Sequence, residues 1–287
     1  MKQKIFTPIS KLGEFNLIKR ITKGLKIKHF STKMGIGDDT AVLAFEKNKR
    51  QLVSTDMLIE GVHFDPIYTP LSHLGYKSII VNISDICSMN GLPTHALVSL
   101  AIPNKYSVEH LEELYSGIKK ACQNYNIDLI GGDTTSSSTG LVICVTVLGE
   151  SEEKKISYRG GAKPNDILLV SGPLGGAYLG LQILEREKQI FNTDNTSQPA
   201  LDQYKGVLEK QLKPEARVDL ISFFKELKIT PSSMIDISDG LSSDVGHICN
   251  SSNVGVKIFE EKIPVSKESQ KVCKEFQINP VICALHG

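Results

Sequence analysis

The chain has no tryptophan and no apolar run long enough to span a membrane. Its charge has no dominant sign: 33 Lys and Arg against 32 Asp and Glu leave a formal net charge of +1. No strong field therefore points to nucleic acid or to an acidic surface, and neither nucleic acid nor membrane is expected as a partner. The opening stretch MKQKIFTPISKLGEF is basic but lacks an apolar core and a small-residue cleavage site, so the chain reads as cytoplasmic. Six cysteines, Cys87, Cys122, Cys144, Cys249, Cys273 and Cys283, are widely spaced, with no C-x-x-C and no Cys/His cluster. That argues against structural zinc and against a disulfide framework, and most of them read as small core residues. There is no G-K-[ST] after a glycine-rich turn and no G-x-G-x-x-G after a strand, so neither a P-loop nor a dinucleotide fold is supported. No nucleophile-elbow pattern is present, which disfavours acyl-transfer hydrolysis. Internal repeats and low-complexity tracts are absent.

What is present is an ordinary soluble composition, 40% hydrophobic and 23% charged over 287 residues, long enough for two domains. Strand-like and helix-like stretches alternate, which gives an α/β class. Strands are expected at 51–57, 95–103, 127–133 and 141–150, and helices at 71–89 and 107–125, the second with a Ser N-cap. RGGAKPND at 159–166 is the clearest break, and the domain boundary is placed just before it, giving 1–150 and 151–287. Beyond it, strands are expected at 167–172, 232–238 and 254–260. Helices are expected at 175–187, about 202–211, 214–227 and 239–252. The chain ends in VICALHG, an apolar run into a glycine, and the C-terminal domain is expected to be incomplete.

The chemical signal lies in the aspartates. Asp38 and Asp39 in GIGDDTA, Asp56 in STDM, Asp85 in NISDICSM, Asp133 in IGGDTT, and Asp236 and Asp239 in IDISDG all lie where an element ends or small residues gather. A buried carboxylate is costly unless something cationic compensates it. Asp85 is the sharpest case, since it sits in a helical stretch among Ile79, Ile80, Ile83, Ile86 and Cys87. Oxygen donors without His or Cys suit a hard cation, above all Mg²⁺, held together with substrate phosphates. The bland reading is helix capping, which serves for Asp39 and Asp239 but not for Asp85. The Gly-Gly pair of LIGGDTTSSS allows close backbone approach to a phosphate. SGPLGG at 171–176 can be the same or a plain turn. Arg159 is either a phosphate clamp or an exposed loop arginine, and His63 in EGVHF is either packed or functional.

Taken in order, GEFNLIKRI, GIGDDTAVL, VSTDMLIEGVHF, YKSIIVNISDICSMNGLP, LIGGDTT, RGGAKPND and IDISDGLSSDVGHI closely resemble the thiamine-monophosphate kinase family, from about residue 12 to the last residue. The resemblance implies the two-domain α/β fold of aminoimidazole-ribonucleotide synthetase, with an N-terminal ATP- and metal-binding domain and a C-terminal α/β domain. It implies transfer of the γ-phosphoryl of ATP to thiamine monophosphate, and a homodimer formed through N-terminal-domain strands. By motif, Asp39, Ser54, Thr55, Asp56, Asp85, Asp133, Asp236 and Asp239 would contact several Mg²⁺ ions, with Asp38 beside them. Tyr115, Gly132, Asp133, Arg159 and Ser238 would touch ATP, and His63 would face the thiamine phosphate. Two departures stand out. Asn90 replaces a residue that is often small, and the family's continuation G-E-D-Y-E-L, whose Glu helps hold the thiamine, does not follow ALHG. The rival readings are another ATP-using enzyme of the superfamily, a nucleotide-binding remnant, and a Mg²⁺-dependent phosphatase. The region before GIGDD has no Cys, which counts against selenophosphate synthetase.

Overall fold

A computed structural model of the chain describes residues 7–12, 14–34, 36, 41–193 and 201–286. Asp38 and Asp39 lie outside the described residues. The chain divides into two compact units, Met1–Ile86 with Gly91–Lys154, and Cys87–Asn90 with Lys155–Gly287. Among the described residues no helix is long and apolar enough to cross a membrane.

The strands of the first unit are β1 (Thr32–Met34), β2 (Val42–Leu43), β3 (Lys49–Ile59), β4 (Leu92–Pro103), β5 (Asp128–Ser137) and β6 (Val142–Glu152). Its helices are α1 (Ile9–Leu12), α2 (Glu14–Ile21), α3 (Leu71–Ser88) and α4 (Val108–Asn124). Period-2 alternation of β-branched residues builds one sheet in the order β3-β6-β4-β5. β6 is antiparallel to β3 and β4, and β4 runs parallel to β5. One face is core: Ile143, Val145 and Val147 of β6 and Ala96, Val98 and Leu100 of β4 are buried, as are Ile79, Ile83 and Ile86 of α3 and Leu111, Leu114 and Ile118 of α4. The two helices touch backbone to backbone. A Cβ added at Gly75 would lie 2.0 Å from the Leu114 carbonyl oxygen, and one at Gly117 would lie 1.8 Å from that of Ser72. Ser107 caps α4 as expected, and here His110 takes the reciprocal role in the capping box, accepting from the Ser107 N–H at 3.0 Å.

The segment before β1 is tied to the sheet by one buried carboxylate. Asp128 accepts from the Lys28 N–H (2.6 Å), the His29 N–H (2.9 Å) and the Thr32 hydroxyl (2.5 Å). Thr32 also bonds Nε2 of the buried His95 at 3.0 Å. β1 and β2 pair antiparallel, and the GIGDD motif lies between them in sequence.

The second unit contains α5 (Gly176–Thr193), α6 (Lys205–Leu212), α7 (Val218–Leu227), α8 (Leu241–Ser252), α9 (Lys267–Phe276) and α10 (Pro280–His286). The expected helices are present. The strands expected at 167–172, 232–238 and 254–260 are not formed among the described residues. A strand is defined by its ladder, and among the described residues no segment forms a ladder with these runs. Ile167 and Leu169 are each 85% exposed, although their composition is that of a buried strand. Asn90 has a structural explanation. It follows α3 with φ 57°, a left-handed conformation that Asn tolerates, and its side-chain amide donates to the Lys155 carbonyl at 2.8 Å. All six cysteines are free, and four of them are buried.

Candidate functional site

β3 distributes its polar residues between two faces of the sheet. Leu52 and Leu58 are buried on the helix-covered face, so Ser54 and Asp56, which alternate with them, share that face. There the Ser54 hydroxyl donates to Oδ2 of Asp85 on α3, and it lies 3.4 Å from Oδ1 of the fully buried Asn82. This contact accounts for an aspartate in an apolar helix. Asp85 is half-buried one turn before the end of α3 and meets a hydroxyl rather than hydrocarbon.

Thr55 points the other way. Its hydroxyl lies 3.0 Å from that of Thr146 and donates to the Val145 carbonyl at 3.1 Å. The ladder places Asp133 on this same open face, in the row Met57, Cys144, Ser99, Asp133, next to the row Thr55, Thr146, Leu97, Gly131. Asp133 is exposed, and its Oδ1 accepts from the Thr134 N–H at 2.8 Å. Gly132 is held by its own sheet: φ is 157°, and a Cβ would sit 1.8 Å from the Val98 carbonyl oxygen. The expected set Ser54, Thr55, Asp56, Asp85 and Asp133 is thus divided, with Ser54, Asp56 and Asp85 on one face and Thr55 and Asp133 on the other.

Just beyond β3 the chain turns sharply and exposes His63, whose Nδ1 accepts from the Ile59 N–H at 3.1 Å. Tyr115 lies on the inner side of α4 and is 5% exposed. Burial pushes its phenol above the ordinary range.

In the second unit, two motifs distant in sequence lie side by side. The Met234 N–H donates to the Tyr158 carbonyl (3.1 Å), and the Ser233 hydroxyl donates to the Arg159 carbonyl (2.6 Å). Asp166 accepts from the Ser232 hydroxyl (2.7 Å) and the Lys163 N–H (2.9 Å). Arg159, Ser238 and Asp239 are exposed and Asp236 is half-buried. A residue not singled out in the sequence organises the second loop. Asp244, buried in the first turn of α8, accepts from the Ser238 N–H (3.0 Å) and the Asp239 N–H (3.2 Å). Its only sequence signal is an acidic side chain at a helix start, where the exposed N–H groups favour negative charge.

Among the described residues, no group of three or more His, Cys, Asp or Glu is close enough to hold a metal ion. The donors are hydroxyls and carboxylates in small open sets. That chemistry fits a hard cation that takes one or two protein oxygens and completes its shell with water and phosphate oxygens. It does not fit a closed protein cage.

Comparison with known proteins yields four findings. The family described as AIR synthase related protein, N-terminal domain, matches residues 37–151. The thiamine-monophosphate kinase of Bacillus subtilis (strain 168) is 37% identical over 264 residues, covering 91% of this chain and 77% of that protein. A solved structure described as AaThiL complexed with AMPPCP and TMP superposes with a TM-score of 0.75 at 34% identity, covering 99% of this chain and 84% of that one. A hydrogenase maturation protein HypE also superposes, with a TM-score of 0.70 and 17% identity over 93% of this chain and 76% of that one, a likeness of fold alone.

Proposed function

The chain belongs to the thiamine-monophosphate kinase family, and from that premise we propose that it transfers the γ-phosphoryl group of ATP to thiamine monophosphate, forming thiamine diphosphate and ADP. The observation that carries this reading is the pair of Ser54 on β3 with Asp85 on α3, beside Asp56 on the strand that runs into the turn bearing the exposed His63. An acceptor phosphate is itself anionic and largely ionised near neutral pH, so it needs no general base. It needs its charge screened as it approaches ATP. Mg²⁺, when bound, would supply that screening and neutralise charge developing on the leaving phosphate. Several such ions are implied: Ser54, Asp56 and Asp85 would hold one on the covered face, Thr55 and Asp133 one on the open face, and Asp236 and Asp239 of the second unit would also serve as metal ligands. In the same reading Gly132, Asp133 and Tyr115 of the first unit contact ATP, as do Arg159 and Ser238 of the second. His63 orients the acceptor phosphate. Transfer is direct and in line, without a phosphoenzyme.

A homodimer through the first unit is part of this reading. Val53 (65% exposed) and Met57 (50% exposed) place apolar surface on the sheet face opposite the core.

The test is product analysis with ATP, thiamine monophosphate and Mg²⁺. Equal thiamine diphosphate and ADP are expected. Chelation of the metal should abolish both, and Asp56→Asn should lower the rate ~1,000-fold with unfolding unchanged, as expected for losing one charge-stabilising group at a reacting phosphate. ADP formation that does not depend on the acceptor would favour the phosphatase reading instead.

A further inference from the structure

Glu60 follows the last residue of β3 and has no part in the chemistry proposed above, yet three segments of the first unit converge on it. Its side chain is 12% exposed and pairs with Lys105 through Oε1. Oε2 accepts from the Leu141 N–H at 2.9 Å and from the Tyr106 hydroxyl at 3.2 Å. The Glu60 N–H in turn donates to the Leu141 carbonyl at 3.0 Å. Gly140 lies so close that a Cβ there would meet that of Glu60 at 3.0 Å. Burial pushes the carboxyl up, but the Leu141 N–H, Lys105 and Tyr106 outweigh it and hold the group below its ordinary range. The carboxylate is therefore ionised and acceptor-only near neutral pH.

The turn this carboxylate holds is the one that carries His63. The Gly61 N–H donates to the Phe64 carbonyl (2.9 Å), and the Val62 and His63 N–H groups donate to that of Ile59 (3.1 and 2.9 Å). The Ile59 N–H then points at Nδ1 of His63 at 3.1 Å. A backbone N–H can only donate, so Nδ1 must accept, and the neutral ring carries its proton on Nε2. Among the described strands β3 lies at the edge of its sheet, and since the next amide, Glu60 N–H, bonds the Leu141 carbonyl, the Ile59 N–H faces away from β6.

We propose that Glu60 is a positioning residue that fixes the 59–64 turn, so that His63 presents a fixed Nε2–H donor to the phosphate of the acceptor. The inference rests on the reading of His63 as an acceptor contact. Its value to the reaction is orientation: a donor held in one tautomer and one direction loses less freedom on binding than a rotating ring.

The 287-residue chain labelled with ¹⁵N-histidine tests this by long-range ¹H–¹⁵N correlation, with the His63 signals assigned from His63→Gln. The expected result is an unprotonated Nδ1 and a protonated Nε2. Glu60→Ala should average the two tautomers and raise KM for thiamine monophosphate about tenfold with KM for ATP unchanged. Glu60→Gln, which still accepts from Leu141, should restore most of both. A protonated Nδ1 in the unaltered chain, or ring signals indifferent to Glu60→Ala, would overturn the proposal. Equal loss of affinity for both substrates would also overturn it, by reducing Glu60 to a scaffold residue. If Glu60→Ala does not fold, the double variant Lys105→Met, Tyr106→Phe strips the carboxylate of two partners and is judged by the same readouts. Titration of the unaltered chain with thiamine monophosphate separates the premise. Ring signals that stay fixed would remove His63 from the acceptor site, while the tautomer and its dependence on Glu60 would still stand or fall by themselves.

Discussion

Two stretches of nearly interchangeable composition meet different fates in this molecule. VICVTV in β6 and ILLV at 167–170 both read as buried strands. β6 pairs on both sides, and Ile143 and Val147 are fully buried. The other run pairs with nothing among the described residues, and Ile167 and Leu169 are 85% exposed. Side-chain pattern gives a segment the capacity to be a strand; a neighbouring strand in register makes it one. The same contrast governs how each unit holds its site. In the first unit the aspartates stand on laddered strands and a packed helix. In the second, loops are pinned by single side chains reaching backbone groups: Asp166, Ser233 and Asp244.

Amide hydrogen exchange puts this contrast to its hardest test. β6 amides should open only with the whole unit. With a domain stability of roughly 5 kcal/mol, that means protection of about 10⁴-fold, while 167–170 should exchange at nearly unprotected rates. Protection at 167–170 would break the comparison by showing that the run finds a ladder partner in solution.

A smaller effect, within the first unit, concerns the segment leading into GIGDD. Asp128 is 2% exposed and receives two backbone N–H groups and a hydroxyl. Asp128→Ala leaves those donors buried without an acceptor and should cost ~3 kcal/mol in urea unfolding. Retained stability would mean that the segment detaches without cost and that the sheet alone holds the unit.

These residues also mark where the sequence was legible. Helices α3 to α8, the four-stranded part of the fold and the anomaly of Asp85 follow from periodicity and from the cost of an orphan charge, whereas α1, α2, α9 and α10 are not among the helices expected. The period of 2 also separates Thr55 from Ser54 and Asp56, although motif order alone groups them. Glu60 and Asp128 carry no pattern of their own, and Asp244 carries only that of an acidic residue at a helix start. What matters about each is which backbone N–H it reaches, from 81 residues away for Glu60 and Leu141 and about 100 for Asp128 and Lys28, and only the fold brings those groups together. The unpaired strands of the second unit were misread for the complementary reason: pattern was visible and partner was not.

The smallest expected effect sharpens the comparison most. Asp244 accepts two adjacent N–H groups through the same oxygen, so Asp244→Asn keeps one acceptor and removes only the charge. The cost to stability should be ~1 kcal/mol, the difference between a charged and a neutral acceptor. Activity should fall further than that figure implies, because Ser238 and Asp239 stand on the very amides being held. A ladder would share such a loss among many bonds. Here one side chain sets the path of the loop, so a change that barely shifts the unfolding midpoint should raise KM for ATP by several-fold, measured by steady-state kinetics at saturating acceptor. If instead stability and KM both stay put, the 232–240 loop is fixed by its contacts to 158–166, and the second unit is better braced than its missing ladders imply.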